Sequence, residues 1–452
     1  MKSDAVQLMN TQTPSDSETA ASIEYHEALR VRFRNVRRHS TKICDLLNPE
    51  DCMIQSMPDA SPIRWHLAHT TWFFETFVLK QIAGYRHHDD SFEYLFNSYY
   101  NTVGDQFPRS QRGLLSRPTL AEILSYREYV DDRILNAMSD SERFDHALLS
   151  VLELGLQHEQ QHQELMFTDI KHAFWCNPLY PAMQPLELPT ASVPEQRWIA
   201  VDDGIYQVGH SGGQFSFDNE SPQHRVFVEP FELSNRLITN GEYQAFVDDG
   251  GYQESAHWLS LGWQHVCEQH WTAPIYWTWH DGQLCEFTLA GLKPFNPDLP
   301  VSHLSYFEAD AYARWCGNRL ATEYEWEIAC ERFREPACTP ELRVSQGVVV
   351  HPTHDAAWEE RDQSARSSAC PSDFFGMFGS LWQWTSSSYC PYPGYRPPDG
   401  ALGEYNGKFM CNQYVLRGSS CATSARHARL SYRNFFAPSA RWQFSGIRLA
   451  RS

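Results

Sequence analysis

Close cysteine pairs are missing from this chain. Its cysteines fall at Cys44, Cys52, Cys176, Cys267, Cys285, Cys316, Cys330, Cys338, Cys370, Cys390, Cys411 and Cys421, with no CxxC among them. A zinc ribbon and a CxxC redox motif both need such pairs, so both are excluded. Most of these thiols are expected to be buried, in a reducing cytoplasm. Basic residues are scarce: 37 Lys and Arg stand against 56 Asp and Glu, a net charge of −19. Gripping a phosphate backbone takes a positive surface, so nucleic acid is not an expected partner. The charge reads as solubility. Long apolar runs are absent too; none approaches the roughly 18 residues of a membrane span. The polar opening "MKSDAVQLMNTQTPSDSETAAS" lacks the apolar stretch of a secretory signal. These features point to a cytoplasmic protein, with no signature of its oligomeric state.

Aromatic residues are plentiful, with 15 Trp, 21 Tyr and 26 Phe in 452 residues. At roughly 100–200 residues per domain, two or three domains with substantial cores are expected. Residues 1–22 read as a disordered tail. Residues 23–178 read as helical, with four amphipathic runs: "EYHEALRVRFRNVRRHSTKICDLL", "SPIRWHLAHTTWFFETFVLKQI", "RPTLAEILSYREYVDDRILNAM" and "HALLSVLELGLQHEQQHQELMFTDIKHAF". Ser61-Pro62 is a natural helix start. Four such helices with connecting loops suggest an antiparallel bundle. A Pro-rich linker over 179–196 follows, since "NPLYPAMQPLELPTASVPEQ" cannot be helical. Residues 197–452 read as an irregular, loop-rich α+β domain. "WIAVDDGIYQVGH" and "HRVFVEPFELS" alternate like strands, and "TNGEYQAFVDDGG" and "SYFEADAYARWCGNRL" read as two short helices.

The fourth helical run contains "HEQQHQELMF". His158 and His162 are four apart, so on a helix they share a face and lie about 6 Å apart along the axis. They can therefore hold one metal ion. The segment formally contains H-E-x-x-H, which in a zinc protease makes the glutamate a base. No third-ligand motif follows, and Gln160 and Gln161 are foreign to that pattern. A further imidazole is available on the second run, from His66 or His69, and facing helices of a bundle are common metal sites. Three neutral imidazoles leave three positions open on an octahedral ion, which suits iron(II) binding both substrate and O2. A catalytic zinc is equally compatible, and spacing does not choose. Between the second and third runs lies "NSYYNTVGDQFPRSQRGLLSRPT", a long loop for a bundle and so a candidate for function. Its Tyr99-Tyr100 pair alone reads as packing. The guanidinium groups of Arg109 and Arg112 suit bidentate capture of a carboxylate.

"HLAHTTWFFE", "HEQQHQE" and "RGSSCATSARHARLSYRNFFAPSARWQFSGIRLAR" together resemble the ergothioneine-biosynthesis sulfoxide synthases. "FDNESPQHRVFV", "GNRLATEYEWE" and "GMFGSLWQWTSSSY" extend the likeness over about residues 25–452. The resemblance implies a DinB-like four-helix bundle followed by a formylglycine-generating-enzyme-type domain of C-type-lectin-like fold. It implies Fe(2+) held by His69, His158 and His162. The implied reaction uses O2 to join a cysteine sulfur to C2 of the imidazole of hercynine, Nα-trimethylhistidine, as a sulfoxide. It casts Tyr99 and Tyr100 as catalytic phenols, as in the branch that takes free cysteine rather than γ-glutamylcysteine. Arg109, with Arg112 as helper, is expected on the cysteine carboxylate. Gln161 and Asn434 are expected on hercynine, with Phe435 and Phe436 flanking its trimethylammonium. Trp382, Trp384 and Trp442 are expected in the core. Where relatives often read GNVWEW, this chain has Gly379-Ser380-Leu381-Trp382-Gln383-Trp384, which argues against a structural calcium there. A single cysteine, Cys421, in 412–452 argues against formylglycine generation. The rival expectations are the same reaction with γ-glutamylcysteine as sulfur donor, a zinc-dependent thiol transferase of the DinB-like kind, and a non-catalytic lectin-like binding module.

Overall fold

The structure is a computed structural model and describes residues 16–140, 144–185, 187–188, 193–332, 350–354, 374–424 and 426–452. Its first half is helical: α1 (Asp16–Cys44), α2 (Ile63–Phe77), the short α3 (Ser91–Phe96), α4 (Leu120–Ala137) and α5 (His146–Trp175). The four long helices match the four amphipathic runs. α1 starts at Asp16, inside the segment read as a tail, where Ala20 and Ala21 favour helix. Residues 1–15 of that tail lie outside the described residues.

Local signals set the helix ends. Pro62 precedes α2, where its missing N–H costs nothing. Thr119 and Glu122 form a reciprocal capping box on α4. The Asp145 side chain accepts from the Leu148 N–H at the start of α5. α2 packs against α1, α4 and α5 and is buried almost throughout its length. The 30-residue α5 spans about 45 Å at 1.5 Å per residue. It is buried on several sides, because it faces both the bundle and the second half of the chain.

No helix or strand lies between Trp175 and Trp198 among the described residues. Beyond it, one four-stranded sheet runs β1 (Trp198–Val201), β4 (Phe231–Ser234), β13 (Leu449–Arg451), β8 (Arg319–Leu320). Its carboxy-terminal strand is thus held between two earlier ones. A second runs β11 (Asn434–Phe436), β10 (Tyr414–Gly418), β9 (Trp382–Ser388), β12 (Ser445–Gly446), antiparallel except for β12 on β9. β2 (Gly204–Val208) pairs with β3 (His224–Val228), and β5 (Trp277–His280), β6 (Gln283–Thr288) and β7 (Gly291–Pro294) form a meander.

The two helices expected here are α6 (Asn240–Asp248) and α8 (Tyr306–Trp315), each opened by a capping box. Two more are present that the sequence reading lacked: α7 (Ser260–Gln269) and α9 (Glu323–Arg332). α9 shows no apolar stripe because its buried positions include carboxylates. Glu323 pairs with Arg433, Glu325 with Arg319, and Glu327 with Arg417. α7 carries Gly262 and ends at His270 in the left-handed region, which weakens its pattern.

One apolar core runs continuously from Leu29 and Phe33 of α1 to Phe444 and Leu449 near the carboxy terminus. Trp382 and Trp384 lie in it, while Trp442 is half-buried. The expectation that most cysteines are buried does not hold. Cys44, Cys52, Cys285 and Cys330 are buried, but Cys176, Cys267, Cys390 and Cys411 are exposed, and Cys316 and Cys421 lie between. The exposed thiols sit past element ends, in loops, or on the outer face of α7, where no apolar layer covers them. Cys338 and Cys370 lie outside the described residues.

Candidate metal centre

α2 and α5 pack face to face, and each turns imidazoles into the seam. His69 comes from α2, and His158 and His162 from one face of α5. One nitrogen of each lies within 4.8 Å of the others, and all three side chains are buried. His69 Nε2 and His158 Nε2 are 3.2 Å apart. Burial holds His158 down to about 3 and keeps His69 and His162 well below the usual imidazole range. All three are therefore neutral, with lone pairs to offer. His69 Nδ1 faces the Phe96 carbonyl at 2.6 Å, so it carries the hydrogen and leaves Nε2 as a bare acceptor. A bare nitrogen 3.2 Å from another imidazole in a dry seam fits a bound cation, and the donor set suits iron(II) or zinc.

The glutamate between the ligand histidines is not a base for this site. Glu159 points the other way, pairing with Arg37 and Arg127 and accepting from Ser40 Oγ at 2.5 Å. His66, the alternative to His69, does not join the triad. Its Nδ1 meets His162 Nδ1 at 2.8 Å and its Nε2 meets Asp169 Oδ2 at 3.1 Å.

Tyr99 brings its ring to 6.5 Å from that of His69, edge on. Tyr100 is fully buried against Trp72, Phe73 and Phe77. Burial pushes both phenols up, so both stay protonated. The Arg112 guanidinium carbon lies over the Trp65 ring at 3.4 Å, and Trp65 stacks on His69 at 4.6 Å. Arg112 also donates to Ser61 Oγ and Ser98 Oγ, both at 2.9 Å. Its Nε is buried without a partner. Arg109 is exposed and donates to the Asp59 carbonyl. Of the two arginines, Arg112 is the one built into the wall beside the histidines.

The second half of the chain closes the other side. Gln161 Nε2 donates to Tyr432 Oη at 2.6 Å, and its Oε1 accepts from Tyr405. The Tyr405 ring stands 5.5 Å from His158, stacks on Phe217 at 5.4 Å, and meets Tyr99 edge on at 6.3 Å. Phe409 joins Tyr99, at 5.4 Å, to Phe435, at 5.9 Å. Phe435 stacks on Tyr389 at 4.1 Å. Asn434 and Phe436 lie on the same strand, β11, with Asn434 Oδ1 accepting from the Phe435 N–H. Phe436 lies 6.4 Å from Trp442. A continuous aromatic wall thus runs from Tyr99 to Phe435. The sequence reading missed Trp65, Tyr405, Phe409, Tyr432, Asp169 and the part played by His66. Only His66, one turn before His69, carried a local signal.

Residues 32–166 match the DinB superfamily and residues 185–452 match the sulfatase-modifying factor enzyme 1-like domain. That pairing of a helical bundle with a formylglycine-generating-enzyme-like domain defines the class. Hercynine oxygenase of Mycobacterium tuberculosis is 32% identical over 450 residues, covering 94% of this chain and 98% of that protein. Hercynine oxygenase of Mycolicibacterium thermoresistibile is 30% identical over 459 residues, 96% of each. Ergothioneine biosynthesis protein 1 of Schizosaccharomyces pombe is 28% identical over 249 residues, 53% of this chain and 28% of that one. The chain belongs to the hercynine oxygenase family. No helix among the described residues is long and apolar enough to cross a membrane.

Proposed function

We propose that this chain is a non-haem iron(II) oxidoreductase of ergothioneine biosynthesis, a sulfoxide synthase. It joins the sulfur of cysteine to C2 of the hercynine imidazole with O2, giving hercynylcysteine sulfoxide. The balance is one thiol hydrogen and one ring hydrogen lost, one oxygen atom placed on sulfur, and the other released as water. The single observation that carries this reading is the convergence of three buried, neutral imidazoles from α2 and α5 beside the aromatic wall. Iron(II) held by His69, His158 and His162 would supply Lewis acidity for the thiol and the redox chemistry of O2.

The remaining work falls to the chain's own side chains. Arg112, rigid on Trp65 and with a free Nε, binds the cysteine carboxylate, and Arg109 stands at the outer edge. Gln161, fixed by Tyr405 and Tyr432, presents its amide to the hercynine imidazole or carboxylate. Asn434 adds a polar contact, and Phe435 and Phe436 flank the trimethylammonium group. A desolvated quaternary cation over ring faces gains about 2 kcal/mol. Tyr99, beside His69 and protonated, is the phenol placed to give up a proton, with Tyr100 packed behind it. The enzyme works in the cytoplasm.

The test is anaerobic iron loading followed by O2 and hercynine with either cysteine or γ-glutamylcysteine, reading O2 uptake and product mass. The expected result is O2 consumption and a cysteine adduct carrying one added oxygen. Equal or better turnover of γ-glutamylcysteine would reject the donor. Retention of zinc with no O2 uptake would favour a thiol transferase instead.

A further inference from the structure

The imidazoles of the triad are backed in three different ways. His69 Nδ1 donates to the Phe96 carbonyl at 2.6 Å. His158 Nδ1 is buried with no partner. His162 Nδ1 meets His66 Nδ1 at 2.8 Å, and His66 Nε2 meets Asp169 Oδ2 at 3.1 Å. That carboxylate oxygen also accepts the Ser61 N–H at 2.8 Å. His66, Asp169 and His162 are all buried.

Donor arithmetic fixes where the hydrogens sit. A carboxylate only accepts, so His66 Nε2 carries a hydrogen. With its hydrogen on Nε2, His66 can accept on Nδ1. Two Nδ1 atoms 2.8 Å apart need one hydrogen between them, and His162 keeps an Nε2 lone pair for the centre only if it is the one to supply it. His162 is therefore the Nδ1–H tautomer, and its Nε2 lone pair is left for the centre. His66 cannot act as a fourth ligand, because both of its nitrogens are engaged.

We propose that Asp169 and His66 form a positioning arm that sets the tautomer and ring orientation of His162 and raises its basicity as a ligand. The inference rests on the metal-site reading above. Asp169 lies two turns beyond His162 on α5, and His66 one turn before His69 on α2. The same two helices thus carry both the ligands and the arm. Outer partners of this kind are worth about 10- to 100-fold in metal affinity. The arm makes the three ligands unequal: one bonded to a carbonyl, one to a histidine–carboxylate pair, one unsupported.

The experiment uses the full chain with His66→Phe, His66→Gln and Asp169→Asn. Anaerobic competition against a chelator gives the Fe(II) affinity, and thermal melting of the metal-free proteins reports folding. Nitrogen-15 spectra of histidine-labelled, metal-free wild type report the His162 tautomer. His66→Phe and Asp169→Asn are expected to bind Fe(II) about 10- to 100-fold more weakly while still melting in one cooperative transition. His66→Gln is expected to recover part of that loss, since its amide can accept from His162 and donate to Asp169. Wild type is expected to show His162 as Nδ1–H. Wild-type binding that His66→Phe matches would overturn the arm and leave the metal site standing. Wild type that binds no Fe(II) would overturn the metal site and the arm with it. If His66→Phe does not fold, the wild-type tautomer decides alone, and an Nε2–H His162 overturns the proposal.

Discussion

Two neighbouring residues of α5, His158 and Glu159, face opposite ways and do different work. His158 Nε2 sits at the centre with His69. Its replacement by Ala is expected to abolish retention of iron after desalting, read by metal analysis of the purified protein. Glu159 is instead the hub of a buried ion-pair group. Burial alone would raise its pKa, but the Arg127 and Arg37 guanidinium groups overcome this and hold it down to about 2. A carboxylate depressed in the fold contributes stability that is fully present above its unfolded value near 4.5 and lost as pH falls toward 2. From 4.5 to 2, this amounts to about 3 kcal/mol. Glu159→Gln leaves two buried arginines short of charge and is expected to cost about 3–5 kcal/mol at pH 7. Most of that difference should vanish by pH 2–3, measured by urea unfolding. A variant equally stable at pH 7 would reject this role.

At the scale of elements, the α2–α5 seam decides whether the imidazoles meet. Gly155 lies on α5 one turn before His158. A Cβ there would come within 2.5 Å of Phe74 Cε1 and 2.9 Å of Phe73 Cε1. Phe73 in turn packs against His158 at 4.8 Å. In an exposed helix, glycine to alanine gains about 1 kcal/mol. Here overpacking reverses the sign, and Gly155→Ala is expected to destabilise by about 1–3 kcal/mol. It should also weaken Fe(II) binding, because the displaced Phe73 pushes on His158. A stabilised variant with unchanged affinity would show that the seam is looser than the contacts imply. The helices themselves were legible from the spacing of apolar residues, as with α2 and α5. α9 was not, because its buried positions include carboxylates matched to arginines outside the helix, two of which, Arg417 and Arg433, lie 90 and 110 residues from their partners.

Across the whole molecule, α5 is the spine on which the second half is mounted. Glu164 accepts from Trp382 Nε1 at 2.7 Å, Ser420 Oγ at 2.6 Å and Thr423 Oγ1 at 2.8 Å. Gln160 and Gln157 reach Ser424 and His427. Farther along, fully buried Lys171 meets His303 Nε2 at 2.8 Å and lies over the Tyr276 ring at 4.6 Å. Burial pulls this lysine down to about 8 from near 10.5. The folded state disfavours its charge, so the penalty is present in full below pH 8 and disappears as pH rises toward 10.5. Lys171→Met is expected to gain up to about 3 kcal/mol at pH 7, less the lost hydrogen bond, and nothing at pH 10.5. Denaturant unfolding of both proteins across that range checks it.

The sequence by itself determined the helical bundle, the α+β second half and the shared face of His158 and His162. Each of these is a matter of local period or composition, which a chain carries without knowing its fold. Spacing left His66 and His69 open and the family resemblance favoured His69; the tertiary structure groups His69 with the pair and sets His66 behind His162, because helix packing, not spacing, decides which side of α2 meets α5. It alone brought Tyr405 to Gln161, 244 residues away, and set Phe409 between Tyr99 and Phe435. Those rings arrive from loops with no periodicity, so nothing in their neighbourhood announces them.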